Sequence, residues 1–202
     1  MSDLTINKPT LDSPTATNSA AFNLMYQGTV VTKVQRGNYI YKIQHHNHGR
    51  APLFDLLLAA LQGETPKGAP NALKLYTADT SCPEYPSSIN WDQLREEAQL
   101  RPISGLIHPI SAPVRTAGNS IKLEFKVPYQ ALTEQAPIYA LGLFSSGSMT
   151  SSDADTAALA YYLYTDGQDA WQPVSLQSTA ATASQYSLLI EWSLGFTNPG
   201  NA

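Results

Sequence analysis

Residues 121–127 read IKLEFKV, and this short stretch decides the fold class. Its apolar positions are Ile121, Leu123, Phe125 and Val127, and charged residues occupy the three positions between them. Strict alternation of apolar and polar side chains is typical of a strand with one buried face in an antiparallel sheet. The stretch therefore predicts such a strand, and similar segments lie on both sides of it.

Further strand-like segments follow in the last third of the chain. Residues 138–144 (IYALGLF) and 157–164 (AALAYYLY) are almost uniformly apolar. In residues 187–196 (SLLIEWSLGF), every second side chain from Leu188 to Leu194 is apolar and faces one way. Strands at this spacing, joined by loops rich in Ser, Gly and Asp, favour a β-sandwich or a barrel-like domain.

The first half of the chain predicts a hairpin and one further strand. Residues 29–35 (TVVTKVQ) and 38–46 (NYIYKIQHH) flank the turn signal Arg36-Gly37-Asn38, which is typical of a β-hairpin. Residues 71–78 (NALKLYTA) form another predicted strand.

One substantial helix is predicted over residues 52–61, between Pro52 in the first turn and Gly63 after the last. Residues 91–100 predict a short charged helix, and residues 101–115, with three prolines, predict edge strands or a long connection. The predicted fold is mainly β, an antiparallel β-sandwich or barrel-like domain. Residues 22–202 make up this single domain, with a loop and helix insertion at about residues 79–115.

Residues 1–21 differ from the rest and are called the arm below. They are rich in Ser, Thr, Asn, Asp, Pro and Ala, and Pro9 and Pro14 favour an extended backbone. Such a segment cannot bury enough apolar surface to fold alone. It is either a tail or an extended arm that lies on a neighbouring subunit. The second interpretation predicts assembly contacts at Thr10, Leu11, Phe22, Leu24, Met25 and Tyr26.

Charge and composition exclude several functions. The 202 residues carry 12 basic and 16 acidic side chains, and only 14% are charged, against about 25% in an average domain. All basic residues lie between Lys8 and Lys126 and form no cluster, so we expect no nucleic-acid partner.

Other features bear on location and cysteine chemistry. The single Cys82 allows no internal disulfide, and no secretory signal or apolar stretch of about 20 residues occurs. The sequence therefore predicts a protein that folds in a reducing cytoplasm and has no membrane partner.

No residue pattern indicates catalysis, a metal or a cofactor. On an extended chain only two of the three imidazoles in His45-His46-Asn47-His48, those of His46 and His48, can project together, and a metal would need further ligands. No nucleophile elbow, phosphate-binding loop or zinc-protease motif is present, so an enzyme is not expected. Tyr161, Tyr162 and Tyr164 would stack on sugar rings if they were exposed.

Two segments, residues 37–63 and residues 124–192, carry a family resemblance. The order of the strands, with LGLF at residues 141–144 and WSLGF at residues 192–196, resembles small tail-associated virion proteins of bacteriophages. The resemblance implies a structural virion component from the tail, fibre attachment or baseplate, which is assembled in the host cytoplasm. Its partners would be copies of itself and other virion proteins. Alternatives are a capsid decoration (cement) or head-fibre protein, and a module that binds a receptor or a host surface glycan.

Overall fold

The computed structural model describes residues 25–36, 39–62, 69–78, 91–97, 99–116, 120–145, 158–164, 171–175 and 186–197. In these residues ten strands form two five-stranded sheets, and each strand pairing is antiparallel. The predicted mainly β, sandwich-like fold is thus confirmed. The arm lies outside the described residues.

The first sheet contains the predicted hairpin. In spatial order its strands are β2 (Tyr39–His46), β1 (Met25–Arg36), β10 (Tyr186–Thr197), β7 (Ser120–Pro128) and β6 (Val114–Thr116). The last strand in sequence, β10, is the central one and pairs with both β1 and β7.

The second sheet lies opposite the first. In spatial order its strands are β3 (His48–Gly49), β9 (Ala160–Leu163), β8 (Ala140–Phe144), β4 (Ala72–Thr77) and β5 (Arg101–Pro102). Both faces of β8 are buried, which explains why its sequence is uniformly apolar.

Besides the strands, the described structure contains two α-helices, a short 3₁₀ helix at Tyr129–Ala131 and one connecting segment between the sheets. The predicted long helix is α1 (Ala51–Leu61), and the short charged helix is α2 (Trp91–Glu97). Residues 99–116 form a strap, because they supply one short edge strand to each sheet, β5 and β6. Between these strands, the strap donates a backbone hydrogen bond from Ile110 to the carbonyl oxygen of Glu124 on β7.

The main core lies between the two sheets. Val30, Leu123 and Trp192 from the first sheet meet Leu75 and Leu141 from the second, and all five are fully buried. The far face of the second sheet is covered as well, because a smaller apolar cluster there includes Trp91 and Leu100. The second sheet is therefore buried on both faces, whereas the first sheet has one face turned away from the core.

One buried hydrogen bond joins the sheets through the core. The hydroxyls of Thr32 on β1 and Tyr164, just after β9, lie 2.8 Å apart, and both side chains are buried. We expect Thr32→Val to lower the free energy of unfolding by about 1–3 kcal/mol, because it leaves the Tyr164 hydroxyl without this partner. Denaturant unfolding measures the loss. Adding Tyr164→Phe should cost little more, and fully additive losses would contradict the coupling.

Buried tyrosines predict a loss of stability at alkaline pH. Burial raises the pKa of Tyr26, Tyr162 and Tyr164 above the ordinary value of 10.0. Above pH of about 10 the unfolded chain therefore loses protons that the folded chain keeps, so stability falls as pH rises. Part of the tyrosinate absorbance should appear only together with unfolding. Complete ionisation of all tyrosines in the folded protein would contradict this expectation.

Candidate interaction surface

Tyr26, the last of the predicted assembly contacts, is held within its own chain. Its ring packs edge-on against Phe54, at 6.1 Å between ring centroids, and against Phe196, at 5.7 Å. Its hydroxyl donates a hydrogen bond to the Asn47 side-chain oxygen. These contacts fix the beginning of β1, the point from which the arm departs. Met25 pairs with Thr197 in the same sheet, and the other predicted contacts, Thr10, Leu11, Phe22 and Leu24, lie outside the described residues.

Asn47 carries the chain from the first sheet to the second. Its backbone N–H donates to the carbonyl oxygen of Gly28 at 3.0 Å, and its side-chain nitrogen donates to that of Ser193 at 3.2 Å. A side chain at position 28 would overlap that of Asn47, so the crossing requires glycine there. Asn47 is buried and fully used by these contacts, and its role is therefore structural.

The crossing at Asn47 separates the two imidazoles that were expected to project together. His46 is exposed at the end of β2, and His48 lies in the second sheet, where its ring stacks on Tyr161 at 4.9 Å. Among the described residues, no three side chains of His, Cys, Asp or Glu are grouped so that they could hold a metal ion.

The tyrosines considered for sugar stacking are buried. Tyr161 is 8% exposed, and Tyr162 and Tyr164 are each 1% exposed. Tyr161 lies against Trp91, and Tyr162 packs edge-on against Tyr164. Tyr162 and Tyr164 fill the core between the sheets, whereas Tyr161 belongs to the apolar cluster on the far face of the second sheet. None of the three rings offers a platform for a sugar.

The outer face of the first sheet, the face turned away from the core, combines charged side chains with the apolar Val31, Leu189 and Val114. Strand register brings together four lysines and two glutamates, a net charge of +2: Lys33, Lys42, Lys122, Lys126, Glu124 and Glu191. Two ion pairs form within it, Lys33 with Glu191 and Lys122 with Glu124. Alternation predicted the polar character of β7, but the neighbouring lysines of β1 and β2 emerge only from the sheet order.

The edges of the two sheets are protected unequally. At three of them the edge strand has two or three residues, and at two of these a proline, which cannot donate a backbone hydrogen bond, lies in or next to the strand, Pro102 in β5 and Pro113 before β6. The fourth edge is β2, which has eight residues and pairs with no described strand on its far side. A long unpaired strand edge is a template for pairing with another chain.

A second exposed feature lies on the strap. Leu106, Ile110 and Val114 are 37%, 56% and 52% exposed, in a segment that borders both sheets. The three prolines of residues 101–115 predicted edge strands or a connection, and nothing in the composition of this segment signalled which apolar side chains remain in solvent. The strap thus exposes three apolar side chains on the same molecule that carries the β2 edge.

No described helix is both long enough and apolar enough to cross a membrane. Comparison with protein-family models, with curated proteins and with solved structures gave no match.

Proposed function

We propose that this protein is a structural component of a bacteriophage virion, a tail, fibre-attachment or baseplate-associated protein that acts by protein–protein assembly and not by catalysis. Its partners are copies of itself and other virion proteins. The observation that carries the proposal is the eight-residue strand β2, whose outer edge pairs with no described strand, in a sandwich whose other described edges are short. The resemblance of the strand order to tail-associated virion proteins supports the same conclusion.

Two features of the described surface support assembly. Proteins that pack side by side by symmetry use surfaces that are less charged than average, and the whole chain is 14% charged. The strap also exposes three apolar side chains, Leu106, Ile110 and Val114, near one edge of the sandwich.

The alternatives differ in how well these surfaces support them. A capsid decoration or head-fibre protein would use the same edge and strap, so the position in the particle must decide between that role and a tail role. Binding of a host glycan is less well supported, because the tyrosines that could have stacked on sugar rings, Tyr161, Tyr162 and Tyr164, are buried.

Electron microscopy with an antibody against the chain tests the proposal on purified particles of the virus that encodes it. We expect gold label at the tail or baseplate, and mass spectrometry should detect the chain at a fixed number of copies per particle. Antibody absorbed beforehand with the purified protein serves as the control. Label on the capsid would support the decoration or head-fibre alternative, and absence from the particle would contradict a structural role.

A further inference from the structure

The edge of β2 that pairs with no described strand has two chemically different sides. On the core side, Ile43 is half-buried and packs against the main core. On the outer face, Lys42, Gln44 and His46 are exposed. A strand added along this edge would need an apolar side chain on one face and polar or acidic side chains on the other.

Lys42 indicates which charge an added strand should carry. It lies directly opposite Lys33, and like charges in this position are destabilising. Lys33 is paired with Glu191, whereas Lys42 has no ion-pair partner in the described part of the chain. Pairing of β2 with the β2 of a second copy would bring further basic side chains to this row. A carboxylate on the added strand would instead complement Lys42.

The arm contains a segment with the required pattern. Residues 3–7 read DLTIN, in which Leu4 and Ile6 alternate with Asp3 and two other polar residues. Pro9 follows shortly and cannot donate a backbone hydrogen bond, so it limits the length of such a strand. Residues 8–24 then connect the segment to β1, and 17 residues span at most about 55 Å, enough to reach a neighbouring molecule.

We propose that β2 accepts residues 3–7 of a second copy as a sixth strand of the first sheet, with Leu4 and Ile6 beside Ile43 and Asp3 on the side of Lys42. This inference rests on the proposed assembly function and deepens it, because it names the donor and acceptor segments. Backbone hydrogen bonds along β2 supply the affinity, and the alternating side chains select the register. Each copy is then a donor through its arm and an acceptor through β2, which is a head-to-tail interface.

Charge reversal in the full chain tests the pairing of Asp3 with the Lys42 side of β2. Sedimentation velocity should show that the wild-type chain associates with itself, and that Lys42→Glu or Asp3→Lys weakens association about tenfold, the effect of replacing an attraction by a repulsion. The double variant should recover most of the loss. Lys126→Glu is the matched control, because Lys126 is exposed on the same outer face but lies on β7, away from the edge.

Two results of the charge experiment would overturn the inference. One is unchanged association in both single variants. The other is equal weakening by Lys126→Glu, which would indicate a general effect of net charge. Circular dichroism checks that each variant is folded, and the substitutions at Lys42 and Lys126 are at exposed positions that support no described ion pair.

Cysteine cross-linking between two different proteins tests whether pairing occurs between copies. All proteins carry Cys82→Ser. A Thr5→Cys protein is mixed with a second protein that carries Lys42→Cys, Gln44→Cys or His46→Cys. We expect a covalent heterodimer with at least one of the three, and none with cysteine at position 126. A chain that carries both cysteines is the comparison: if only this chain cross-links, and it does so internally, the arm pairs with its own β2 and the inference is wrong.

The failure of this inference is distinguishable from failure of the proposed function. A chain that is present in virus particles but shows neither charge rescue nor cross-linking retains the structural role and refutes the β2 acceptor. A chain that cross-links as expected but is absent from particles retains the strand pairing and refutes the virion role.

Discussion

Trp192→Ala is expected to lower the free energy of unfolding by about 3–5 kcal/mol. Trp192 is fully buried on β10, the central strand of the first sheet, where it pairs with Val30 on one side and Leu123 on the other. Removal of the indole ring leaves a cavity between the sheets that neighbouring strands cannot fill, because they are fixed by their own pairing. Thermal unfolding should show a loss of roughly 10 °C, at about 2–4 °C per kcal/mol for a chain of this length.

Ser193→Ala is the matched control for that substitution. Ser193 is the next residue on β10 and faces away from the core, and its contact with Asn47 uses the backbone oxygen. We expect a change within about 0.5 kcal/mol. Similar losses for Trp192→Ala and Ser193→Ala would show that the sandwich does not depend on the filling of this core.

The strands were predictable because their local patterns match their surroundings. β7 alternates because one of its faces is buried between the sheets, and β8 is uniformly apolar because both of its faces are buried. The helix α1 was predictable from Pro52, an apolar stripe and Gly63, which are all local signals. Patterns within ten residues therefore determined the type of element, and the structure confirmed these elements within a few residues.

The arrangement of the strands was not predictable in the same way. β10 ends the described chain, but it lies between β1 and β7, and no local pattern fixes such a distant pairing. His46 and His48 would lie on one face only if the strand continued through residue 47. In the structure, Asn47 instead takes the chain from one sheet to the other. The sequence signal of this crossing is a single polar residue, Asn47. Its role can be recognised only when the structure places Gly28 beside it.

The candidate surface falls between these two cases. The sequence predicted that β1 and β2 form a hairpin, and the register of these two strands then places Lys33 opposite Lys42. That β2 lies at the edge of its sheet is a different matter, because it depends on where every other strand is placed. The side chains of β2 can thus be read from the sequence, but the position of β2 at the edge of its sheet cannot.

Deletion of residues 1–21 is expected to abolish self-association and leave the stability of the domain nearly unchanged. The cut ends four residues before β1 begins at Met25, so the contacts of Tyr26 with Phe54 and Asn47 remain. The melting temperature should shift by less than about 2 °C, as for a surface change within 0.5 kcal/mol. Sedimentation velocity should show a monomer at concentrations at which the full chain associates, and incorporation into particles should weaken with it.

The size of this effect follows from the cost of ordering the arm. Fixing each residue of the arm in one conformation costs about 1–2 kcal/mol of conformational entropy. Contacts with a second copy must offset this cost, because in this interpretation the arm makes no contribution to the fold of the isolated domain. A full chain with Leu4→Asp and Ile6→Asp is the control that keeps the length of the arm, and it should also lose association. An unfolded truncated chain would mean that residues 1–21 belong to the core. Normal association after truncation would mean that they are only a tail, and the assembly function would then rest on the strap alone.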